Sequence, residues 1–287
     1  MDYISPSEVA GNFVANGAAK SRLSISQMLL RGALSGALLG FATTVAFTAT
    51  AQGLPPILGA VIFPVGFAMI VILGLELVTG SFAIVPAAWL AGATSPIRVL
   101  ANFVWVFIGN LAGGLLYALM YAAVQTQPHH APATGAAALI VAAAQAKTLG
   151  YQKLGLDGLW LAVLKAALCN WMVCMGVVMG LTSRSTTGKI VACWLPIFTF
   201  FALGFEHSVV SMFVIPAGMM MGAPVSMSDW WLWNQLPVTL GNLAGGFLFV
   251  GLPMLWLRRP ARAASATPAN AGIDETLPAA QPEAVEA

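Results

Sequence analysis

Two apolar stretches of this chain, residues 57–91 and 190–221, are longer than a single membrane-spanning helix needs, and each carries a glutamate in its middle. A span takes about 20 apolar residues. The first stretch reads LGLELVTGS around Glu76 and the second LGFEHSVVS around Glu206; Gly74 and Gly204 precede the glutamates, and Pro86 and Pro216 follow them. A carboxylate inside hydrocarbon is costly, and unwound backbone survives at that depth only where it lines a cavity or is covered by protein. Each stretch therefore reads as two half-helices joined by a non-helical link, an arrangement that builds substrate sites in transporters.

Four further stretches, 32–51, 101–124, 159–181 and 236–257, are long enough to span a membrane once each. Of the 287 residues, 59% are hydrophobic and 8% charged, against about 25% charged in a soluble domain. This balance excludes an ordinary cytosolic enzyme, a nucleic-acid binder and a disordered chain. The net charge of +2 implies no polyanionic partner. Cys169, Cys174 and Cys193 lie in apolar runs and form neither a disulfide framework nor a zinc spacing. No metal or cofactor is expected.

Residues 1–31 start with Asp2 and Glu8 and lack the early apolar run of a cleaved secretory signal. Val9, Phe13 and Val14 stand near helical spacing within residues 7–19, which predicts a short amphipathic helix on the membrane surface. Residues 258–287 are rich in Ala, Pro, Thr and Glu without periodicity and read as a disordered tail. The transmembrane domain spans 32–257. Lys20, Arg22, Arg31, Arg98, Arg184, Lys189, Arg258, Arg259 and Arg262 all fall on one side if there are six spans, while Lys147 and Lys153 lie on the other. The excess of cationic residues in cytoplasmic loops then makes the protein multi-pass with both termini cytoplasmic.

The chain also resembles itself at an offset of about 130 residues. GNLAGG occurs at 109–114 and again at 241–246, and the two glutamate-bearing links align in the same order. Each repeat, 32–124 and 159–257, holds three spans. Three is odd, so the two copies lie upside down relative to each other. The fold class is an all-α polytopic membrane protein of six transmembrane helices, arranged as two inverted three-helix repeats with helices 2 and 5 broken. Gly109, Gly113, Gly241 and Gly245 give the G-x-x-x-G spacing that lets helix backbones approach closely.

Ionisable residues within spans are functional candidates: Glu76, Lys165, Glu206 and His207. Neighbours on a helix point about 100° apart, which assigns His207 to a pathway and Glu206, with Glu76, to bracing of the broken backbone. A histidine changes charge near neutral pH and serves a small anion as hydrogen-bond donor or proton source. Thr79 and Ser81 place hydroxyls in the first link. Asn110, Asn170 and Asn242 either line a pore or hydrogen-bond freed backbone across helices. Phe63, Phe67 and Phe200 precede the links and are candidates for a dry constriction. Trp230, Trp231 and Trp233 read as interfacial anchors.

Five stretches, ELVTGS (76–81), GNLAGG (109–114), KAALCNWMVC (165–174), GFEHSVVSMF (204–213) and LPVTLGN (236–242), resemble the formate/nitrite transporter family, in order and across residues 8–257. The resemblance implies an aquaporin-like fold in a homopentamer, with one pore per protomer, in a bacterial inner membrane. It implies that His207 is the central histidine, Thr79 the threonine facing it, Leu77 a hydrophobic residue of an inner constriction, Phe200 an aromatic of an outer one, and Phe67 a position usually filled by an apolar constriction residue. Lys165 matches a basic residue beside the outer vestibule, and Glu206 the glutamate before the histidine. Val78, Val210 and Ser211 depart from the family pattern and bear on selectivity and gating. The SMFVIPAG stretch (211–218) is somewhat more similar to formate-type members.

Formate and nitrite are conjugate bases of weak acids. A bare anion crossing an apolar constriction faces a heavy desolvation cost, which a proton removes. The expected function is transport of such anions with proton coupling at His207; the competing version is an anion current with His207 only donating a hydrogen bond. A neutral-solute channel of the aquaporin type would share the architecture, but its Asn-Pro-Ala signatures are missing. A membrane-embedded enzyme would need a constellation such as H-E-x-x-H or G-x-S-x-G, and the sequence has neither.

Overall fold

The computed structural model describes residues 2–258. The expected tail lies outside them except for Arg258. Among the described residues the chain is helical, with a single isolated bridge between Tyr3 and Ser183. The helices are α1 (Pro6–Lys20), α2 (Ile25–Ala51), α3 (Pro56–Ile62), α4 (Pro64–Ile72), α5 (Val78–Leu90), α6 (Pro96–Thr126), α7 (Ala136–Lys147) and α8 (Leu149–Gln152). They continue with α9 (Leu156–Gly180), α10 (Thr186–Ala202), α11 (Ser208–Met220), α12 (Met227–Trp230), α13 (Leu236–Gly246) and α14 (Leu252–Leu257).

Four helical stretches are long and apolar enough to cross a membrane: Ile25–Ala51, Pro96–Thr126, Leu156–Gly180 and Met227–Leu257. The last is continuous through two π-helical turns, Trp231–Gln235 and Phe247–Gly251, each followed within two residues by a proline, Pro237 or Pro253. A proline withholds one backbone N–H, and the widened turn before it accommodates the loss. Four shorter apolar stretches, Pro56–Ile72, Val78–Leu90, Thr186–Ala202 and Ser208–Met220, form two end-to-end pairs.

Small residues set the spacing of the long helices. A Cβ on Gly36 would strike the Asn110 carbonyl, and one on Gly113 the Ala33 carbonyl, so α2 and α6 touch backbone to backbone. On α13, Gly241 and Gly245 stand in the same relation to the carbonyls of Val163 and Ala167 on α9. At such distances dispersion and Cα–H···O contacts replace the hydrophobic force that lipid does not supply. Between these pairs lie α5 and α11, whose residues 78–88 and 208–218 are buried on every side.

Two elements differ from the sequence-based expectation. The N-terminal helix does not present its apolar face to a membrane surface: Val9, Phe13, Val14 and Gly17 are buried, and the helix packs on α5 and α14, with Gly17 against the Ile84 carbonyl. Residues 136–147 form a helix packed on α11, where the sequence reading had only a connection between spans, carrying Lys147. Their Ala-rich composition has good helix propensity but little amphipathic contrast. Trp230 is likewise no interfacial anchor; it is buried, and its Nε1 donates to Gln235 Oε1 at 3.1 Å.

Candidate functional site

The two links have the same backbone plan. The helix ends at Leu73 and Leu203 are followed by Gly74 (φ 61°) and Gly204 (φ 64°). That left-handed conformation is cheap only for glycine. The amides of Leu75 and Phe205 then reach back to the carbonyls of Ile70 and Phe200 at 3.0 and 3.1 Å, closing the carbonyl-satisfying cap of a terminating helix. After one glutamate each, Leu77 (φ −125°, ψ 118°) and His207 (φ −119°, ψ 117°) are extended and start α5 and α11. Leu77 and His207 thus occupy equivalent positions in the two links.

Both links are held by asparagine from a neighbouring long helix. Asn110 Nδ2 donates to the carbonyls of Glu76 and Gly32, both at 2.9 Å, while its Oδ1 accepts from Val78 N at 2.9 Å. Asn242 repeats this with the carbonyls of Glu206 (2.9 Å) and Ala166 (2.8 Å) and with Ser208 N (2.8 Å). Asn170 Nδ2 donates to the carbonyls of Thr79 (3.0 Å) and Asn242 (2.6 Å). All three side chains are buried, and Asn110 and Asn242 each pair the carbonyl and the amide that an interrupted helix leaves open at its link.

Each glutamate takes a lysine from the last position of a short helix. Lys20 Nζ on α1 lies 2.7 Å from Glu76 Oε1, and Lys147 Nζ on α7 lies 2.8 Å from Glu206 Oε2. Glu206 also accepts from the Tyr151 hydroxyl at 2.8 Å and from Asn234 Nδ2 at 3.3 Å. The first π-helical turn places Asn234 and Gln235 inward, the latter donating to the Ser208 carbonyl at 3.4 Å. Burial and the adjacent carboxylate push the Tyr151 phenol well above its ordinary range, so it remains a donor to Glu206.

The starts of α5 and α11 meet at Thr79 and His207. Thr79 Oγ1 lies 3.1 Å from His207 Nε2. His207 Nδ1 accepts from Val210 N at 3.3 Å, capping α11. An acceptor on Nδ1 leaves the proton of a neutral ring on Nε2, which then donates to Thr79. The Thr79 carbonyl is fixed from behind by Asn170 and by Cys174 Sγ at 3.4 Å. Two helix N-termini, each carrying partial positive charge, converge on this pair.

A cavity lies on either side. One, of about 340 Å³, is lined by Lys20, Arg31, Phe67, Gly74, Glu76, Leu77 and Lys189 among others. The other, of about 400 Å³, is lined by Lys147, Phe200, Phe201, Phe205 and His207. The Phe200 ring stacks on His207, with centroids 5.6 Å apart and planes 21° apart. Phe67 and Leu77, 3% and 5% exposed, close the first cavity toward the centre.

Three residues singled out in the sequence lie elsewhere. Phe63 lines neither cavity; it is fully buried, stacked on Phe201 with centroids 4.0 Å apart and edge-on to Phe200 at 5.7 Å, so it packs behind the aromatic wall. Ser81 is two residues beyond Thr79, about 200° around the helix, and its buried hydroxyl lines neither cavity. Lys165 sits partly exposed on α9 and lines neither cavity; Lys147 lines the cavity beside His207. The sequence reading passed over Lys20, Lys147, Tyr151, Asn234 and Arg31. One signal was available: Lys20 precedes Glu76 by 56 residues and Lys147 precedes Glu206 by 59, so the lysines share the repeat.

The sequence model described as Formate/nitrite transporter matches residues 7–256. The chain belongs to the formate/nitrite transporter family. Within the family it is similar to a probable formate transporter of Methanothermobacter thermautotrophicus, 34% identical, the match covering 86% of this chain and 94% of that one. A solved structure titled "FNT family ion channel" superposes with a TM-score of 0.77 at 26% identity, covering 88% of this chain and 99% of that chain. Another, titled "Pentameric formate channel with formate bound", gives 0.65 at 27% identity, covering 81% and 96%. A formate/nitrite transporter family member is a transport protein and not an enzyme, and its apolar helices are those of a multi-pass membrane protein.

Proposed function

We propose that this protein moves small monovalent anions of the formate and nitrite class across a bacterial inner membrane, each protomer of a homopentamer carrying its own pore. The spans would form two inverted three-helix repeats with broken helices 2 and 5, and both termini would be cytoplasmic. The equivalent links, asparagines and lysine–glutamate pairs support the repeat. The excess of Lys and Arg on one side supports the orientation, and the pentameric solved relative supports the assembly.

The observation that carries the proposal is the Thr79–His207 pair, held between two cavities and flanked by apolar side chains. The anion enters the wider openings with its water. The converging helix N-termini draw it inward. Toward the centre, Phe67, Leu77 and Phe200 offer no hydrogen bonds, so the carboxylate form is disfavoured and the neutral acid favoured. The donor on His207 Nε2 and the acceptor on Thr79 Oγ1 match the carbonyl oxygen and hydroxyl of a protonated carboxylic acid. The proton comes from water in the cavity and returns to water on the far side. A neutral imidazole is far too weak an acid to supply it, so His207 serves as a donor to the carbonyl oxygen while the apolar walls and the Thr79 acceptor favour the protonated form. Glu76, Glu206, Asn110, Asn170 and Asn242 hold the frame in which Thr79 and His207 meet.

Uptake of labelled formate into proteoliposomes tests this. Uptake above that of protein-free vesicles, rising as the outer solution is acidified, is expected. Passage of water or glycerol with no passage of formate would favour an aquaporin-like channel for neutral solutes and contradict the proposal.

A further inference from the structure

The two cavities differ in charge. The cavity lined by Phe67 and Leu77 also carries Lys20, Arg31 and Lys189, with Glu76 as its one carboxylate. Lys20 is paired with Glu76. Arg31 and Lys189 have no carboxylate partner among the described residues. The opposite cavity has Lys147 as its one charged lining residue, and Glu206 neutralises it. One vestibule therefore carries two uncompensated cations and the other none.

The Arg31 guanidinium is fixed at the rim of the first link, donating from Nη1 to the Gly74 carbonyl at 3.3 Å. Arg31 and Lys189 come from different helices, α2 and α10, and both are partly shielded from solvent. A planar guanidinium and an ammonium lining one cavity are a donor set suited to a carboxylate or nitrite oxygen pair. Concave walls of low dielectric strengthen the field of such a pair.

We propose that Arg31 and Lys189 form an anion-collecting site in this vestibule, which binds small monovalent anions before they reach Leu77 and Phe67. The site has no counterpart in the opposite vestibule, so the two faces of the pore differ in apparent affinity. This rests on the transport reading above.

The test is equilibrium exchange of labelled formate in proteoliposomes, read as half-saturating formate concentration, in inert gluconate salt at about 0.05 M and about 1 M, which brackets weak and strong screening. In the wild type, half-saturation should rise severalfold with salt. The double variant Arg31→Gln with Lys189→Gln should raise it roughly fivefold at low salt and flatten the salt dependence. Arg31→Gln removes a bond to the link, so Lys189→Gln alone, which breaks no hydrogen bond of the fold, should give part of the same rise. The charge-preserving pair Arg31→Lys with Lys189→Arg should keep wild-type values. Unchanged half-saturation and unchanged salt dependence in variants that still exchange formate would overturn this inference and leave the transport reading intact. Absence of exchange in the wild type would overturn the transport reading itself.

Discussion

Thr79 Oγ1 and His207 Nε2 lie 3.1 Å apart across 128 residues of sequence, each at the start of a buried half-helix. Nothing local brings them together. The two links do so, each ending one helix at a glycine and starting the next in a new direction. The hydrogen bond between them joins the two halves of the chain at the centre, and the cavities open on its two sides.

Thr79→Val keeps the shape and removes the hydroxyl, whose one side-chain partner is His207. The fold should survive, because the Thr79 carbonyl stays bonded to Asn170 and Cys174. Loss of one positioned acceptor is worth about 1–3 kcal/mol, a fall in formate flux of roughly five- to 150-fold. Initial uptake rates beside melting temperature in detergent check this; a wild-type rate would remove Thr79 from the pathway.

Asn242→Leu is close in volume but strands the Ser208 amide and the Glu206 carbonyl and removes a second bond to the Ala166 carbonyl. Leaving buried backbone groups unpaired costs about 1–3 kcal/mol each, so a melting point lowered by many degrees or outright loss of folded protein is expected. Asn110→Leu should behave alike, since its three bonds are the same in kind.

Lys147→Met leaves Glu206 inside the protein without its cation, and breaking a buried pair by removing one partner costs about 3–5 kcal/mol. The double variant Lys147→Met with Glu206→Gln should recover much of that stability, because the neutral amide would still accept from the Tyr151 hydroxyl through its carbonyl oxygen. Thermal unfolding of the two single variants and the double variant measures the coupling. Additive losses would show that the pair is unimportant to the second link.

Gly113→Ala drives a methyl into the Ala33 carbonyl and should separate α2 from α6, whereas Gly11→Ala meets no atom within 4 Å. The first should lower stability by several kcal/mol through overpacking. The second should be neutral or raise stability by up to about 1 kcal/mol through helix propensity. Equal melting temperatures would contradict the backbone-to-backbone packing.

Much of this architecture was legible because membrane burial leaves coarse signals. A glutamate in an apolar run has few explanations, and Gly74, Gly204, Asn110 and Asn242 recur at one offset. What the sequence did not yield depended on direction. Ser81 and Thr79 look alike in a list of hydroxyls, but their positions on α5 point them apart. Lys147 read as a loop charge because residues 136–147, though good helix formers, carry no signal that their helix packs against the second link. Phe63 could be distinguished from Phe200 only by seeing which ring lies behind the other.

The most direct test compares wild type with His207→Ala for formate uptake into proteoliposomes under an imposed pH gradient, at equal formate concentration on both sides. The account expects wild-type uptake to follow the proton gradient. It expects His207→Ala to lose that dependence, because the space left by the ring joins the two cavities by a water-filled path through which hydrated anion passes. Identical dependence on the gradient in both proteins would contradict it, and selection would then have to reside in Phe200, Phe67 and Leu77 without the histidine.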